Sequence, residues 1–292
     1  MATSAAATKE SRYFVPAPSA WPFVLTMGLV STVYGTAGWL EDRHLGPVPI
    51  IAGIVLSFYI IFRWLRDVIH ESEGGQYNAQ VDRTFRWGMS WFIFSEVMFF
   101  GAFFGALFYA RDLSVPWLGG LGGKADANLL WTGFEAGWPT NGPAAVGGKF
   151  STIGAFGVPL INTLALLSSG VTITLAHHAL KEGKRAICVL WMWATVALGA
   201  TFLWFQAHEY LEAYTHLNLT LHSGIYGSTF FMLTGFHGLH VTLGTIMLTI
   251  ITLRLMSGHF KPDSHFGFEG VAWYWHFVDV VWLGLFILVY WL

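Results

Sequence analysis

Charge and cysteine are both scarce in this chain. Only 11% of its 292 residues are Asp, Glu, Lys or Arg, and Cys188 is the single cysteine. One cysteine excludes an internal disulfide framework, a thiolate metal cluster and a CxxCH haem attachment. The formal net charge is −2 and the sequence has no basic tract, which argues against a nucleic-acid partner.

Hydrophobic residues dominate instead. They make up 54% of the chain, aromatic residues make up 17%, and the mean hydropathy is +0.54. Soluble proteins carry about 25% charged residues, so this composition predicts an integral membrane protein. Seven stretches reach the about 20 apolar residues that a helix needs to cross a bilayer. We predict an all-α, polytopic fold with membrane helices at 21–40, 46–65, 85–109, 151–176, 186–206, 224–253 and 271–292.

Loop composition predicts the domain organisation. It divides an N-terminal segment (1–20) and two membrane helices (21–66) from five further helices (85–292), with a cytoplasmic loop at 67–84. A long external loop at 110–150 is rich in glycine and contains prolines that should break any helix. Eleven of the 15 Lys and Arg residues fall on the N-terminal side of the membrane. The positive-inside rule therefore predicts a cytoplasmic N-terminus and an external C-terminus.

Several ionisable residues lie inside the predicted spans, where facing lipid would be costly. Glu96 is in the third span, and a structurally paired carboxyl is favoured over a proton relay. His237 and His240 are three residues apart and share a helix face, as do His276 and Asp279. Histidines could ligate haem or a metal, but this spacing cannot bracket a haem plane, so helix packing or hydrogen bonding to lipid headgroups is favoured. For His276 and Asp279, a local hydrogen-bonded pair and proton transfer are both open. We predict no catalytic or metal-binding residue.

Six strings in order carry a resemblance to subunit III of cytochrome c oxidase. They are RDVIHE (66–71), SEVMFF (95–100), AHHAL (176–180), YGSTFFMLTGFHGLHV (226–241), HFGFE (265–269) and WYWHFVDVVW (273–282). The resemblance runs from about residue 21 to residue 292. Several long, aromatic-rich strings in the same order are not expected by chance.

The resemblance implies an accessory subunit without a redox centre. In this family the first two helices and the other five form a V-shaped cleft that holds phospholipids. Haem a, haem a3 and copper are expected in partner subunits, with subunit I the main contact and subunit II a second. The resemblance also implies support for oxygen access and proton uptake, and stabilisation of the catalytic subunit. The whole complex would be a proton-pumping enzyme that transfers electrons from cytochrome c to oxygen.

The resemblance also implies roles for particular residues. Glu96 matches the intramembrane carboxylate of the family. Arg254 and His259 match cations that hold lipid phosphate, and Trp64 and Arg66 match a headgroup-binding region. Arginine suits this role because its guanidinium forms forked hydrogen bonds with phosphate.

Related subunits of quinol oxidases commonly lack the first two spans, so seven spans favour cytochrome c as the electron donor. We expect the bacterial inner membrane, with a periplasmic C-terminus, ahead of the mitochondrial inner membrane. Two other functions compete. An independent transporter would line a solute path with buried polar residues, and a haem-binding oxidoreductase would show a Soret band that a histidine substitution abolishes.

Overall fold

The computed structural model describes residues 14–15, 17–41, 47–121 and 127–292. Outside the described residues lie most of the predicted segment 1–20 and four cations used for the orientation, Lys9, Arg12, Arg43 and Lys124. Within the described residues, seven helices are long and apolar enough to cross a membrane. The predicted all-α fold with seven membrane helices is therefore confirmed.

The membrane helices are α1 (Trp21–Leu40), α2 (Val48–Glu73), α3 (Ala79–Phe108), α4 (Val158–Lys181), α5 (Arg185–Thr215), α6 (Gly224–Met256) and α7 (Phe266–Leu285). α3 and α7 end in π-helical turns at Tyr109–Ser114 and Phe286–Trp291. Short helices follow at Val115–Leu118 and Ala127–Leu130.

The predicted cytoplasmic loop at 67–84 is mostly helical. α2 continues to Glu73, and α3 begins at Ala79. Hydropathy marks where hydrocarbon ends, but a helix can continue into water. Particular residues mark the end of α2 and the start of α3. Gly75, just after α2, has a φ of 69°. Asn78 Oδ1 accepts hydrogen bonds from the backbone N–H groups of the first turn of α3, at 3.1 and 3.0 Å.

The third helix also continues past its predicted end at residue 109. Its helical path runs to Leu118, although Pro116 was expected to break any helix there. Pro116 lies in the first turn of the segment Val115–Leu118, where a backbone N–H is not needed for a helical hydrogen bond. Proline therefore allows the helix to restart after the π-helical turn.

The chain forms two compact units, residues 1–85 and 86–292. In the N-terminal unit, α1 and α2 pack through small residues. A Cβ on Gly53 would collide with Thr32, and one on Gly28 would collide with Ser57. Such close contact between backbones is a common way for helices to associate in lipid. Most larger side chains of this helix hairpin therefore point away from its interface.

In the C-terminal unit, α4, α5, α6 and α7 form a closed ring in which each helix packs against the next. Two fully buried tryptophans of α7, Trp275 and Trp282, fill its centre. α3 adds to this ring through aromatic side chains. Phe100 contacts Phe277 with ring centroids 6.1 Å apart, and Phe104 packs over Gly284.

Two asparagines order the described part of the loop that was predicted to be external. The Asn141 side chain donates to the carbonyls of Val146 and Gly148 at 3.0 and 2.8 Å. Asn218, which follows α5, donates to Gly147 and Lys149 at 3.1 and 2.9 Å. These bonds give the loop a defined structure at the ends of α5 and α6.

Candidate functional site

The polar residues predicted inside the membrane are joined by contacts between helices. Glu96 on α3 meets His240 on α6, with Oε2 and Nε2 2.9 Å apart. His240 Nδ1 donates to the carbonyl of Phe236 at 2.6 Å, because a carbonyl can only accept. Nδ1 therefore carries a proton. One further proton lies between Nε2 and the carboxyl group, held by one or the other.

Aromatic rings surround this pair. The rings of Phe99 and Phe100 lie 6.0 and 5.0 Å from the imidazole of His240, and the Tyr274 ring stacks on it at 6.3 Å. Only 11% of the His240 side chain and 20% of the Glu96 side chain are exposed. A shared proton in such an environment stabilises the α3–α6 contact, since both groups would be costly to bury alone.

His237 has a separate partner, although it lies on the same helix as His240. Its Nε2–H donates to the backbone carbonyl of Val278 on α7 at 3.2 Å. The ring lies between Phe202 and Trp282, 5.6 and 5.1 Å from their centroids, and is completely buried. The structure thus directs the two predicted histidines to different helices, and His237 links α6 to α7.

His276 and Asp279 form a local pair on α7. Their Nδ1 and Oδ2 atoms are 3.7 Å apart, and the other imidazole nitrogen lies 3.3 Å from Thr174 Oγ1 on α4. Asp279 packs directly over Gly170, where any Cβ would collide with its carboxylate. Glycine at this position therefore admits a carboxylate between the two helices.

Three contacts of the ring involve residues that sequence reasoning missed. Tyr290 donates to Glu209 at 2.6 Å, and the indoles of Trp275 and Trp282 donate to Ser169 and Thr163 at 2.8 and 2.9 Å. Glu209 was missed because the fifth span was predicted to end at residue 206, whereas α5 continues to Thr215. No sequence signal identified the two hydroxyls, since serine and threonine are common in membrane helices.

The predicted lipid ligands of the C-terminal unit lie in the last turn of α6 (Arg254) and just after that helix (His259). The Arg254 guanidinium carbon is 4.6 Å from the Phe260 ring centroid, and the backbone N–H of His259 donates to the Arg254 carbonyl at 3.1 Å. Arg185 donates to the carbonyls of Gly258 and Phe260 at 3.4 and 3.0 Å. The turn thus brings several cationic side chains to one end of the ring.

The predicted ligands of the N-terminal unit lie near a cavity of about 740 Å³. Trp64 lines this cavity together with Asp67, Glu71 and Tyr77. The Arg66 side chain instead donates to His70 at 3.3 Å. The cavity wall therefore combines aromatic faces with two carboxylates.

Hydrogen bonds order the wall of this cavity. Trp21 donates to Asp67, and the Tyr77 hydroxyl donates to Glu71, each at 2.7 Å. Burial raises the pKa of Tyr77 above its ordinary value, and the hydrogen bond and negative charge of Glu71 raise it further. The phenol therefore remains a donor at neutral pH.

Among the residues described, no group of three or more His, Cys, Asp or Glu side chains could hold a metal ion. The Nε2 atoms of His177 and His265 lie 3.2 Å apart, but they form a pair of side chains rather than a larger group. Cys188 is buried in α5. The polar side chains in the spans contact one another in pairs, such as Glu96 with His240, or in small groups, such as Asp279, His276 and Thr174.

The fold and these contacts define a polytopic helical membrane protein whose intramembrane polar groups join helices. The family model of cytochrome c oxidase subunit III matches residues 11–123 and 129–292. The chain belongs to the cytochrome c oxidase subunit III family, as the resemblance predicted.

Individual relatives agree over nearly the whole chain. The cytochrome c oxidase subunit 3 proteins of Hippopotamus amphibius and Oncorhynchus masou are each 40% identical over 280 residues, covering 96% of both chains. The subunit 3 protein of Marchantia polymorpha is 41% identical over 275 residues, covering 94% of both. As a member of this family, the chain is a subunit of an oxidoreductase complex that contains other oxidase subunits.

Proposed function

We propose that this chain is the accessory, non-redox subunit of a proton-pumping cytochrome c oxidase. It binds phospholipid, stabilises the catalytic subunit, and supports proton uptake and oxygen access to that subunit. The observation that carries the proposal is the pairing of intramembrane polar groups across helices, together with family membership. The Glu96–His240 and Tyr290–Glu209 contacts join helices of the bundle. Polar residues that join helices suit a structural subunit.

The proposed partners follow from this role. Subunit I is the main contact and subunit II a second, and these subunits carry haem a, haem a3 and copper. Cytochrome c donates electrons to the complex, and phospholipids are the bound small molecules. The chain itself contributes packing surfaces and headgroup ligands.

Phospholipid binding is supported by the cationic turn after α6. Arg254, in the last turn of α6, accepts the backbone hydrogen bond of His259 through its carbonyl, and its guanidinium stacks against Phe260, which limits the positions of that guanidinium. A guanidinium held in this way loses little entropy when it binds a phosphate. Trp64 beside its cavity, and Arg66 on the same helix, supply a second headgroup region in the N-terminal unit.

The proposed membrane is the bacterial inner membrane, with a cytoplasmic N-terminus and a periplasmic C-terminus. The orientation is supported by cations at helix ends and in loops, which include Arg185 and Lys261 on the proposed cytoplasmic side. A cysteine introduced at Lys261 should react with an impermeant thiol reagent from the cytoplasmic side of inverted vesicles. One introduced at Lys149 should react only from the other side. The reverse pattern would invert the proposed orientation.

The accessory role is tested by gentle purification through a tag on this chain, with a visible spectrum and subunit mass analysis. Haem a absorption with two larger oxidase subunits is the expected result. A colourless, solitary chain under lipid-preserving conditions would contradict it.

The lipid ligands are tested in the same complex by the substitution Arg254→Ala. We expect less bound phospholipid by mass spectrometry and a shorter catalytic lifetime during turnover. Lys261→Ala is the matched control, because it removes the same charge from the same turn without touching a proposed ligand. Equal lipid content in both variants would contradict the role of Arg254.

A further inference from the structure

Arg185, the first residue of α5, is bonded to the turn that follows α6 (257–260). Its Nη2 atom donates to two carbonyls of this turn, that of Gly258 at 3.4 Å and that of Phe260 at 3.0 Å. Hydrogen bonds from a charged donor are stronger than those between neutral groups. The turn is therefore held by a side chain of the neighbouring helix as well as by its own backbone.

The guanidinium of Arg185 fits closely against this turn. Gly258 has a φ of 86°, and a Cβ at this position would lie 3.0 Å from Nη1 of Arg185. Glycine suits the position in two ways, because it adopts left-handed backbone readily and leaves space for the guanidinium. The backbone of the turn and the cation that holds it are thus matched in shape.

Phe260 links this turn to the guanidinium of Arg254. The residue is buried, with 4% of its surface exposed, and its ring centroid lies 4.6 Å from the guanidinium carbon of Arg254. A Cβ on Gly267 of α7 would lie 3.3 Å from a carbon of the Phe260 ring and 3.6 Å from Nη1 of Arg254. The ring and the guanidinium therefore lie in a space that α7 leaves open at this glycine.

We propose that Arg185 is a positioning residue for the phosphate-binding turn. Its two hydrogen bonds fix the backbone at Gly258 and Phe260. The Phe260 ring then limits where the guanidinium of Arg254 can lie, and that guanidinium binds the phosphate of a lipid headgroup. Such preorganisation raises affinity, since less conformational freedom is lost on binding. The inference rests on the proposed role of Arg254 as a lipid ligand and adds the residue on which its affinity depends.

A purely electrostatic role for Arg185 makes a different prediction. A cation that attracts the phosphate by its own charge contributes to binding whether or not Arg254 is present. A residue that acts through Arg254 contributes nothing once Arg254 is removed, so the two substitutions are then strongly non-additive.

The test measures binding of dioctanoylphosphatidylglycerol to the purified oxidase complex by native mass spectrometry, after its bound lipid has been exchanged in detergent. Arg185→Ala should raise the dissociation constant by about tenfold, the scale of one lost hydrogen bond to a charged group. Lys184→Ala is the matched control, because it removes the same charge from the adjacent residue, whose ammonium pairs with Glu182 at 2.7 Å. It should leave the dissociation constant unchanged. Equal dissociation constants for the two variants would overturn the proposal.

Two further variants separate positioning from charge. In a chain that already carries Arg254→Ala, adding Arg185→Ala should weaken binding no further, and a further loss would instead assign Arg185 a direct contact with the phosphate. Arg185→Lys keeps the charge, but its side chain is one bond too short to replace Nη2 at the two carbonyls, so binding should stay weak. Full recovery of binding in this variant would overturn the positioning role.

Dioctanoylglycerol, which lacks the phosphate, is the control ligand. It should bind equally to the wild-type complex and to the Arg185→Ala complex, and a parallel loss would show that the turn holds acyl chains rather than phosphate. Arg254→Ala separates the two hypotheses. Unchanged phosphatidylglycerol binding in that variant would contradict the lipid role itself. A loss with Arg254→Ala and none with Arg185→Ala would overturn only the positioning role.

Discussion

The two compact units hold their helices together by different means. The α1–α2 hairpin relies on close backbone contact at glycines, and only 17% of the best membrane window of each helix is buried. The ring of α4 to α7 buries 56% of such a window in its last span and joins helices by indole, hydroxyl and carboxyl hydrogen bonds. The hairpin should therefore be sensitive to added volume, and the ring to lost hydrogen bonds.

The largest effect is expected when volume is added to the hairpin. Gly53→Leu would drive a side chain into Thr32 and the backbone of Gly28, at a cost of about 3 kcal/mol. Limited proteolysis of the purified complex should then cleave the first 85 residues faster. Gly88→Leu is the control, because a Cβ there meets no atom within 4 Å. Similar cleavage rates in the two variants would show that close glycine packing does not hold the hairpin.

A smaller effect is expected from removing one hydrogen bond of the ring. Thr163→Val leaves the buried indole N–H of Trp282 without its acceptor and should cost about 1–2 kcal/mol. Tryptophan fluorescence during detergent unfolding should show an earlier midpoint. Thr242→Val is the control, since that exposed hydroxyl donates only to the carbonyl of Gly238 in its own helix. Equal unfolding midpoints for the two variants would show that the ring does not depend on this hydrogen bond.

Glu96→Gln tests whether the polar pair between α3 and α6 is structural. The glutamine amide can still donate to His240, so assembly should persist and oxygen consumption should stay within about twofold of wild type, or about 0.4 kcal/mol in activation free energy. The measurement is turnover of the purified complex with reduced cytochrome c. An assembled but inactive complex would assign the carboxyl a necessary role in proton transfer.

The smallest effect is expected from ionising Tyr77, which lines the cavity of the N-terminal unit. The pKa of Tyr77 is raised in the folded chain, so its contribution to stability is present below the ordinary tyrosine pKa of about 10 and is lost as pH rises further. The difference in tyrosinate absorbance between wild type and Tyr77→Phe should titrate above that value. Titration at the ordinary pKa would mean that this phenol is not shielded.

Hydropathy and loop composition predicted the number and class of the helices, because both depend on local sequence. They did not predict the ends of helices such as α2 and α5, since helices continue into water without an apolar signal. The Glu96–His240 pair joins residues far apart in the chain, so spacing along one helix could not show it. The relation of His276 to Asp279 was accessible, because these two residues lie one turn apart.

The lengths of the helices bear on how the two units respond to bilayer thickness. α1 has 20 residues and α6 has 33, which at 1.5 Å per residue correspond to about 30 and about 50 Å. The hydrocarbon core is about 30 Å thick, so α1 matches it while α6 must tilt or emerge from it. Hydrophobic mismatch therefore acts unequally on α1 and α6. Acyl-chain length, and not only headgroup chemistry, bears on how these two helices fit the membrane.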